Sequence, residues 1–368
     1  MTNEPPRGDS RTALAVDTAA RIRGDQWHLG YLDAARAQKI SEGNGVVVAV
    51  PDTGVDPHPD LAGNLLRGID LLAADSGDGW QDPNSHGTSM AGLIAAHGRG
   101  GNSGALGIAP KAKILPIRAA NPQNLGEADN LAKAIEYSTS NGADIISISS
   151  GGASTPRLIR AVTDALAANV IVVAAVGNSA QGSGVSYPAT EEGVIAVGGV
   201  DRDGRHADVS VIGPEVDLVA PAVDIYSTSY NGKYSKGTGT SSATAIVAGA
   251  AALIRSKYPH LPAQEVAHRL TATAIDKGPP GRDDEYGYGV IDLVAALTAD
   301  VPPLGFESVS APAGGGASTT AVAQPGDDGP ATVRGLVTLG VIVAAGVGWA
   351  LALRRRRRGD DPPPRISR

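Results

Sequence analysis

Gly239-Thr240-Ser241-Ser242-Ala243-Thr244-Ala245-Ile246-Val247-Ala248-Gly249 is the stretch on which the reading of this chain turns. A serine with Gly, Thr and Ser around it stands just before the apolar run 243–254, in which Gly249 is the one helix-weakening residue. The run predicts a buried helix with Ser241 at its N-terminus. Unpaired N–H groups and the positive end of the helix dipole favour negative charge there. A nucleophilic serine that passes through an oxyanion gains from that position. Alone, such small residues mark close helix packing and nothing more. Partners elsewhere change the reading: Asp52 in Pro51-Asp52-Thr53-Gly54, His86 in Ser85-His86-Gly87-Thr88, and Asn178 in Gly177-Asn178-Ser179.

Composition narrows the class. The 368 residues include 48 Gly and a single Phe, so the core must be built from Ala, Val, Ile and Leu in close contact. That suits a parallel sheet covered by helices. The net charge of −7 argues against nucleic acid as a partner. Cysteine is absent, which excludes thiolate catalysis, Cys-ligated zinc and disulfides.

Residues 1–26 are polar and read as a mobile segment, and 31–40 as a helix on the outside of the domain. Val46-Val47-Val48-Ala49-Val50 is a β-branched run that predicts a strand buried on both faces, and it runs directly into Asp52. In open parallel sheets functional groups gather at the carboxyl ends of strands. His86 follows a polar loop and starts an apolar helix. Strands are predicted within 108–117 and at 144–149, 170–175, 194–198 and 216–220. Helices are predicted at 125–141, 157–169 and 262–272. The alternation indicates a doubly wound α/β fold.

Composition shifts at Val301. Residues 301–334 are a Pro/Gly/Ala-rich linker. Residues 335–353 carry no charge over 19 positions, and five arginines, 354–358, follow at once. As a helix at ~1.5 Å per residue the segment spans nearly the ~30 Å hydrocarbon core of a bilayer. It therefore predicts one transmembrane helix followed by a basic tail, 354–368, on the cytoplasmic side.

The order Asp52, His86, Asn178, Ser241 resembles that of the subtilisin-like serine proteases (subtilases, peptidase family S8). Asp52-Thr53-Gly54 with His58-Pro59-Asp60-Leu61, Ser149-Ser150-Gly151, Tyr187-Pro188-Ala189 and Val219-Ala220-Pro221 are similar to further family blocks. The resemblance covers about 27–300, the expected peptidase domain, and implies a subtilisin-like, mostly parallel sheet flanked by helices. It implies Ser241 as nucleophile, His86 as general base and acid, and Asp52 as the group that orients His86. Asn178 and the Ser241 N–H would hold the oxyanion. Ser149, Ser150, Gly151, Ala175, Gly177 and Ser186 would line the peptide groove. Ser186 stands where the family often has Gly, which predicts a small pocket before the cut bond. Other departures are Pro51 before the Asp, and Ser242 and Ala245 after the nucleophile. His28, His58, His97, His206, His260 and His268 have no comparable context and receive no catalytic role. No cofactor is required by this chemistry, and no metal ligands stand out. Family members commonly bind structural calcium, which stays open here without named ligands.

Peptidase domain, linker, single span and basic tail together resemble the mycosins, membrane-anchored subtilases associated with actinobacterial type VII secretion. Mycosins usually carry cysteines and a signal peptide, and neither is present in 1–368, so the likeness is mycosin-like. The expectation is a catalytic domain outside the cell membrane, with an export signal upstream of Met1. Its partners would be a polypeptide substrate, the bilayer and type VII secretion machinery. The alternative is an inert, subtilase-shaped scaffold of a membrane complex.

Overall fold

The computed structural model describes residues 19–73, 77–121, 123, 127–181 and 184–305. The chain divides into units 1–308 and 309–368, and the second lies outside the described residues, as does the transmembrane segment expected at 335–353. Among the described residues no helix is long and apolar enough to cross a membrane.

The sheet strands are β1 (Val47–Asp52), β2 (Ile69–Asp70), β3 (Lys113–Arg118), β4 (Ile145–Ile148), β5 (Ile171–Ala175), β6 (Ile195–Val200) and β7 (Leu218–Pro221). They pair in the order β2-β3-β1-β4-β5-β6-β7, and every pair is parallel. Val48, Ile145, Ile146, Val172 and Ala196 are fully buried, as continuous aliphatic runs between two helical layers require. The strand order reverses beside β1, whose neighbours are β3 and β4. A crevice opens at the carboxyl ends of the strands at such a point. Pro51 fits in this central strand because pairing with β4 covers Val48 and Ala49 only; at Pro51 only β3 remains alongside.

Helices form where the sequence places them, with sharper limits. They are α4 (His86–Ala95), α5 (Ala128–Ser140), α6 (Pro156–Ala167), α7 (Thr240–Lys257), α8 (Ala263–Ala272) and α9 (Leu293–Thr298). Helix α6 begins with Pro156 after Thr155, whose hydroxyl accepts from Leu158 N. Helix α7 packs on β4 to β7 and on α4. Gly249 has a packing reason: a Cβ there would lie 2.7 Å from Ile108 Cβ.

Four features differ from the sequence reading, the first being the short edge strand β2, which was not anticipated. Residues 19–25 form a helix, α1, within the segment read as mobile. Ala19 and Ile22 are buried, and Arg23 Nε donates to Gly104 O at 3.1 Å. The expected helix 31–40 is instead two short ones, α2 (Trp27–Tyr31) and α3 (Ala34–Gln38), broken where Asp33 takes a left-handed conformation. An antiparallel hairpin, β8 (Ile225–Ser229) and β9 (Lys233–Gly237), was not anticipated. Asn231 and Gly232 both have positive φ in its turn, the conformation that Asn-Gly favours. At the other end, 301–305 still touch the domain: Leu304 N donates to Glu265 Oε1 at 2.9 Å.

His28 in α2 has no exposed surface, and neither ring nitrogen has a partner among the described residues. Burial pushes its pKa down from 6.5 to about 3. The unfolded chain therefore binds a proton that the folded chain refuses between those values. Stability from this group is complete above pH 6.5 and falls as pH drops, by about 1.4 kcal/mol per unit. His28→Phe, which keeps a ring and removes the titrating nitrogens, should lose less melting temperature between pH 7 and pH 4 than wild type. Parallel losses would show that His28 does not drive the acid sensitivity.

Candidate active site

Each expected catalytic side chain stands at the end of a regular element. Asp52 is the last residue of β1, His86 the first of α4, and Ser241 the second of α7. Asn178 lies three residues past β5. His86 Nδ1 is 2.8 Å from Asp52 Oδ1 and 2.9 Å from Oδ2. A carboxylate only accepts, so Nδ1 carries the proton and neutral His86 keeps its lone pair on Nε2. Asp52 is itself held by Thr53 N, which donates to Oδ1 at 2.7 Å.

The His86 side chain is 22% exposed and that of Asp52 3%. Burial disfavours the imidazolium, but the charge and hydrogen bond of Asp52, with a further charge at Asp82, outweigh it. The His86 pKa is raised above 6.5. Ser241 Oγ donates to the carbonyl of Ser149 at 3.2 Å in this resting arrangement, rather than to His86. Catalytic hydrogen bonds are commonly long or unmade without substrate and tighten only when it is present.

Asn178 presents its amide with a fixed sense. Its Oδ1 accepts from Thr240 N at 3.0 Å and Thr240 Oγ1 at 3.2 Å. Oδ1 is thereby occupied and Nδ2 remains the free donor end. Ser241 N lies in the first turn of α7, where backbone N–H groups have no carbonyl one turn earlier. The two donors can converge on one developing oxyanion.

An open groove of about 930 Å³ brings together His86, Asn178, Ser241 and all six expected groove residues: Ser149, Ser150, Gly151, Ala175, Gly177 and Ser186. Ser186 Oγ fills the space between two glycines. A Cβ on Gly151 would lie 2.2 Å from it and one on Gly177 3.4 Å. Ala128, Leu131 and Leu158 also line the groove. The sequence reading missed these, although their apolar side chains sit on the helices it placed there. It also missed Thr240, whose position next to the nucleophile was the available signal, and Asp82, a carboxylate four residues before His86.

Residues 43–289 match the model of the subtilase family, Peptidase_S8. The chain belongs to the subtilase family. It is a serine endopeptidase of that family. Subtilisin DY of Bacillus licheniformis is 39% identical over 269 residues, covering 72% of this chain and 94% of that protein. Among solved structures, MycP1 from Mycobacterium smegmatis is similar with a TM-score of 0.68 and 29% identity, covering 75% of this chain and 85% of that one. The MycP3 protease from the type VII (ESX-3) secretion system is similar with a TM-score of 0.66 and 33% identity, covering 74% and 88%. The mycosin-like resemblance read from the sequence therefore holds.

The structural calcium that the family suggests would need a cluster of oxygen ligands. Calcium takes six to eight oxygen ligands. Among the described residues no group of three or more His, Asp or Glu is placed to hold an ion. Asp60, fully buried in the Asp block, already has its oxygens taken. Oδ1 accepts from Arg99 Nε at 2.7 Å; Oδ2 accepts from Ala105 N at 2.6 Å and Tyr234 Oη at 2.8 Å. Arg99, itself at the surface, thus reaches in to a buried carboxylate and ties the 98–105 loop to the domain. These side chains do not fit a calcium cage. Arg99→Gln should lower stability by about 1–3 kcal/mol, since it leaves a buried carboxylate short of its counter-charge.

Proposed function

We propose that the chain is a membrane-anchored endopeptidase that cleaves peptide bonds through Ser241, His86 and Asp52. The observation that carries the reading is the Asp52–His86 pair, at 2.8 and 2.9 Å, opening onto a groove that also holds Ser241 and Asn178. In this reading Ser241 Oγ attacks the substrate carbonyl as His86 Nε2 takes its proton. Asp52 stabilises the imidazolium, and His86 then gives the proton to the leaving amine. Asn178 Nδ2 and Ser241 N donate to the oxyanion. The backbone of Ser149 to Gly151, where β4 runs out into the groove, pairs with an extended substrate.

The anchor belongs to the same proposal and rests on the sequence. Residues 335–353 would cross the cell membrane once, with 354–368 in the cytoplasm and the peptidase domain outside. Likeness to MycP3 from the type VII (ESX-3) secretion system supports a place beside such machinery. The chemistry calls for no cofactor.

Full-length protein in detergent, treated with a fluorophosphonate probe, should label on Ser241. Labelling should vanish in Ser241→Ala and drop strongly in His86→Ala. Turnover should fall about 10²–10³-fold in Asn178→Ala, as for loss of one oxyanion donor. A folded wild type that does not label would sink the nucleophile and leave an inert scaffold as the reading.

Ser186 should restrict the residue before the cut bond to small side chains. Ser186→Gly should raise kcat/KM for Leu or Phe there relative to Ala by about tenfold, the scale of a small volume change in an apolar pocket. A peptide library in which wild type already favours aromatic residues would refute the restriction.

A further inference from the structure

Behind His86 lies a second buried carboxylate that the chemistry above leaves unused. Asp82 is 5% exposed. Its Oδ1 accepts from Thr53 Oγ1 at 2.7 Å, Ser85 N at 2.8 Å and Asn84 N at 3.0 Å. Its Oδ2 accepts from Thr88 Oγ1 at 2.6 Å and Thr88 N at 2.8 Å. These donors come from two places: the residue after Asp52, and the entry and first turn of the His86 helix. Thr53 Oγ1 closes the ring by accepting from Gly87 N at 3.1 Å.

The two segments it joins are in direct backbone contact. A Cβ on Gly87 would lie 2.1 Å from Gly54 O and 3.1 Å from Asp52 Cβ. Ser85, between Asp82 and His86, holds a positive φ of 84°, a conformation that is unfavourable for a residue with a Cβ. Something must hold that turn, and the bond from Ser85 N to Asp82 does so. The N–H groups that Asp82 accepts are orphan donors at a helix start, which a buried carboxylate satisfies best.

We propose that Asp82 is a positioning residue of the peptidase: it holds the end of β1 and the first turn of α4 in one fixed relation, and its charge sets how acidic a medium the enzyme tolerates. The inference rests on the triad reading above. The charged groups facing His86 are Asp52 from the end of β1 and Asp82 from the loop before α4, while α7 contributes the neutral Ser241. Both carboxylates favour the imidazolium, which cannot act as a base. Removing the Asp82 charge therefore frees the His86 lone pair at lower pH.

The test uses full-length protein in detergent with two readouts across pH. One is the rate of fluorophosphonate labelling. The other is the low-field proton resonance of His86 Nδ1–H, which reports His86 ionisation without any reaction. In Asp82→Asn both midpoints should move to lower pH and the labelling plateau should also fall about tenfold, because the amide oxygen can accept on one side only and the amide nitrogen faces backbone N–H donors on the other. Thr53→Val keeps the charge and cuts the tie: its midpoints should stay in place and its plateau should fall about tenfold. Asp82→Ala should show both effects. Unmoved midpoints in Asp82→Asn would overturn the charge role. A wild-type plateau in Thr53→Val would overturn the positioning role, and it does so even where Asp82→Ala fails to fold. A wild type that never labels would overturn the nucleophile alone, since the His86 proton still reports the effect of Asp82.

Discussion

Close approach of α7 to the sheet is the constraint from which the site follows. A helix can sit against four parallel strands at short range only if its inward face is small. Helix α7 is buried on nearly all sides, and Ala243, Ala245, Ala248, Ala250, Ala251 and Ala252 keep it slim between Ile246, Val247, Leu253 and Ile254, with Gly249 against Ile108. That packing fixes the helix axis, and with it the place of its first turn. Ser241 is carried to the carboxyl ends of β4 and β5, where Ser149 and Asn178 already lie. Were the inward residues larger, the helix would stand off the sheet, and Thr240 could not reach Asn178 Oδ1 at 3.0 Å. The abundance of glycine and alanine, and the near absence of Phe, are the compositional trace of this requirement.

Two histidines show how the same burial yields opposite chemistry. His28 is enclosed with no partner among the described residues, and its pKa falls to about 3. His86 also loses water, yet Asp52 bonds its Nδ1 and Asp82 adds charge, and its pKa rises. Desolvation acts on both; only the carboxylates decide the sign. One ring is locked neutral as packing material. The other has its charged form stabilised by two carboxylates, which is what taking a proton from a nucleophile requires. Asp60 makes the same point for a carboxylate: with Arg99, Tyr234 and Ala105 N around it, a buried charge becomes a structural tie between a loop and the domain.

Sequence and structure agree where a local pattern maps onto one element. The β-branched run before Asp52, the apolar run after His86 and the small-residue run after Ser241 each became a strand or a helix in the place read for it, so the site could be assembled from three element ends. Agreement fails where the deciding contact is distant in sequence. Helix 19–25 looks polar, and its order depends on Arg23 reaching Gly104. The break at Asp33 turns on a single left-handed residue inside a good helical composition. The β8–β9 hairpin left a legible mark, Asn231-Gly232, but its strands lack clean alternation, with Lys233 and Lys236 on one and Ser227 and Thr228 on the other. Ser186 was legible as a groove residue; that its hydroxyl sits between Gly151 and Gly177 is a matter of tertiary distance.

Asp82 marks the limit of a motif-based reading. Sequence patterns point to residues that touch the reacting atoms, because the chemistry names their types. A residue that holds two such elements together can be of many types, and its context is defined only once the chain has folded. Here the context is exacting. Three backbone N–H groups and two hydroxyls point at one buried spot, and a neutral side chain could satisfy only some of them. The carboxylate is required by its neighbours' donors, and its charge then acts on His86 through the protein interior. Position and proton affinity at this site are thus not separable design elements: the group that fixes the geometry also shifts the titration.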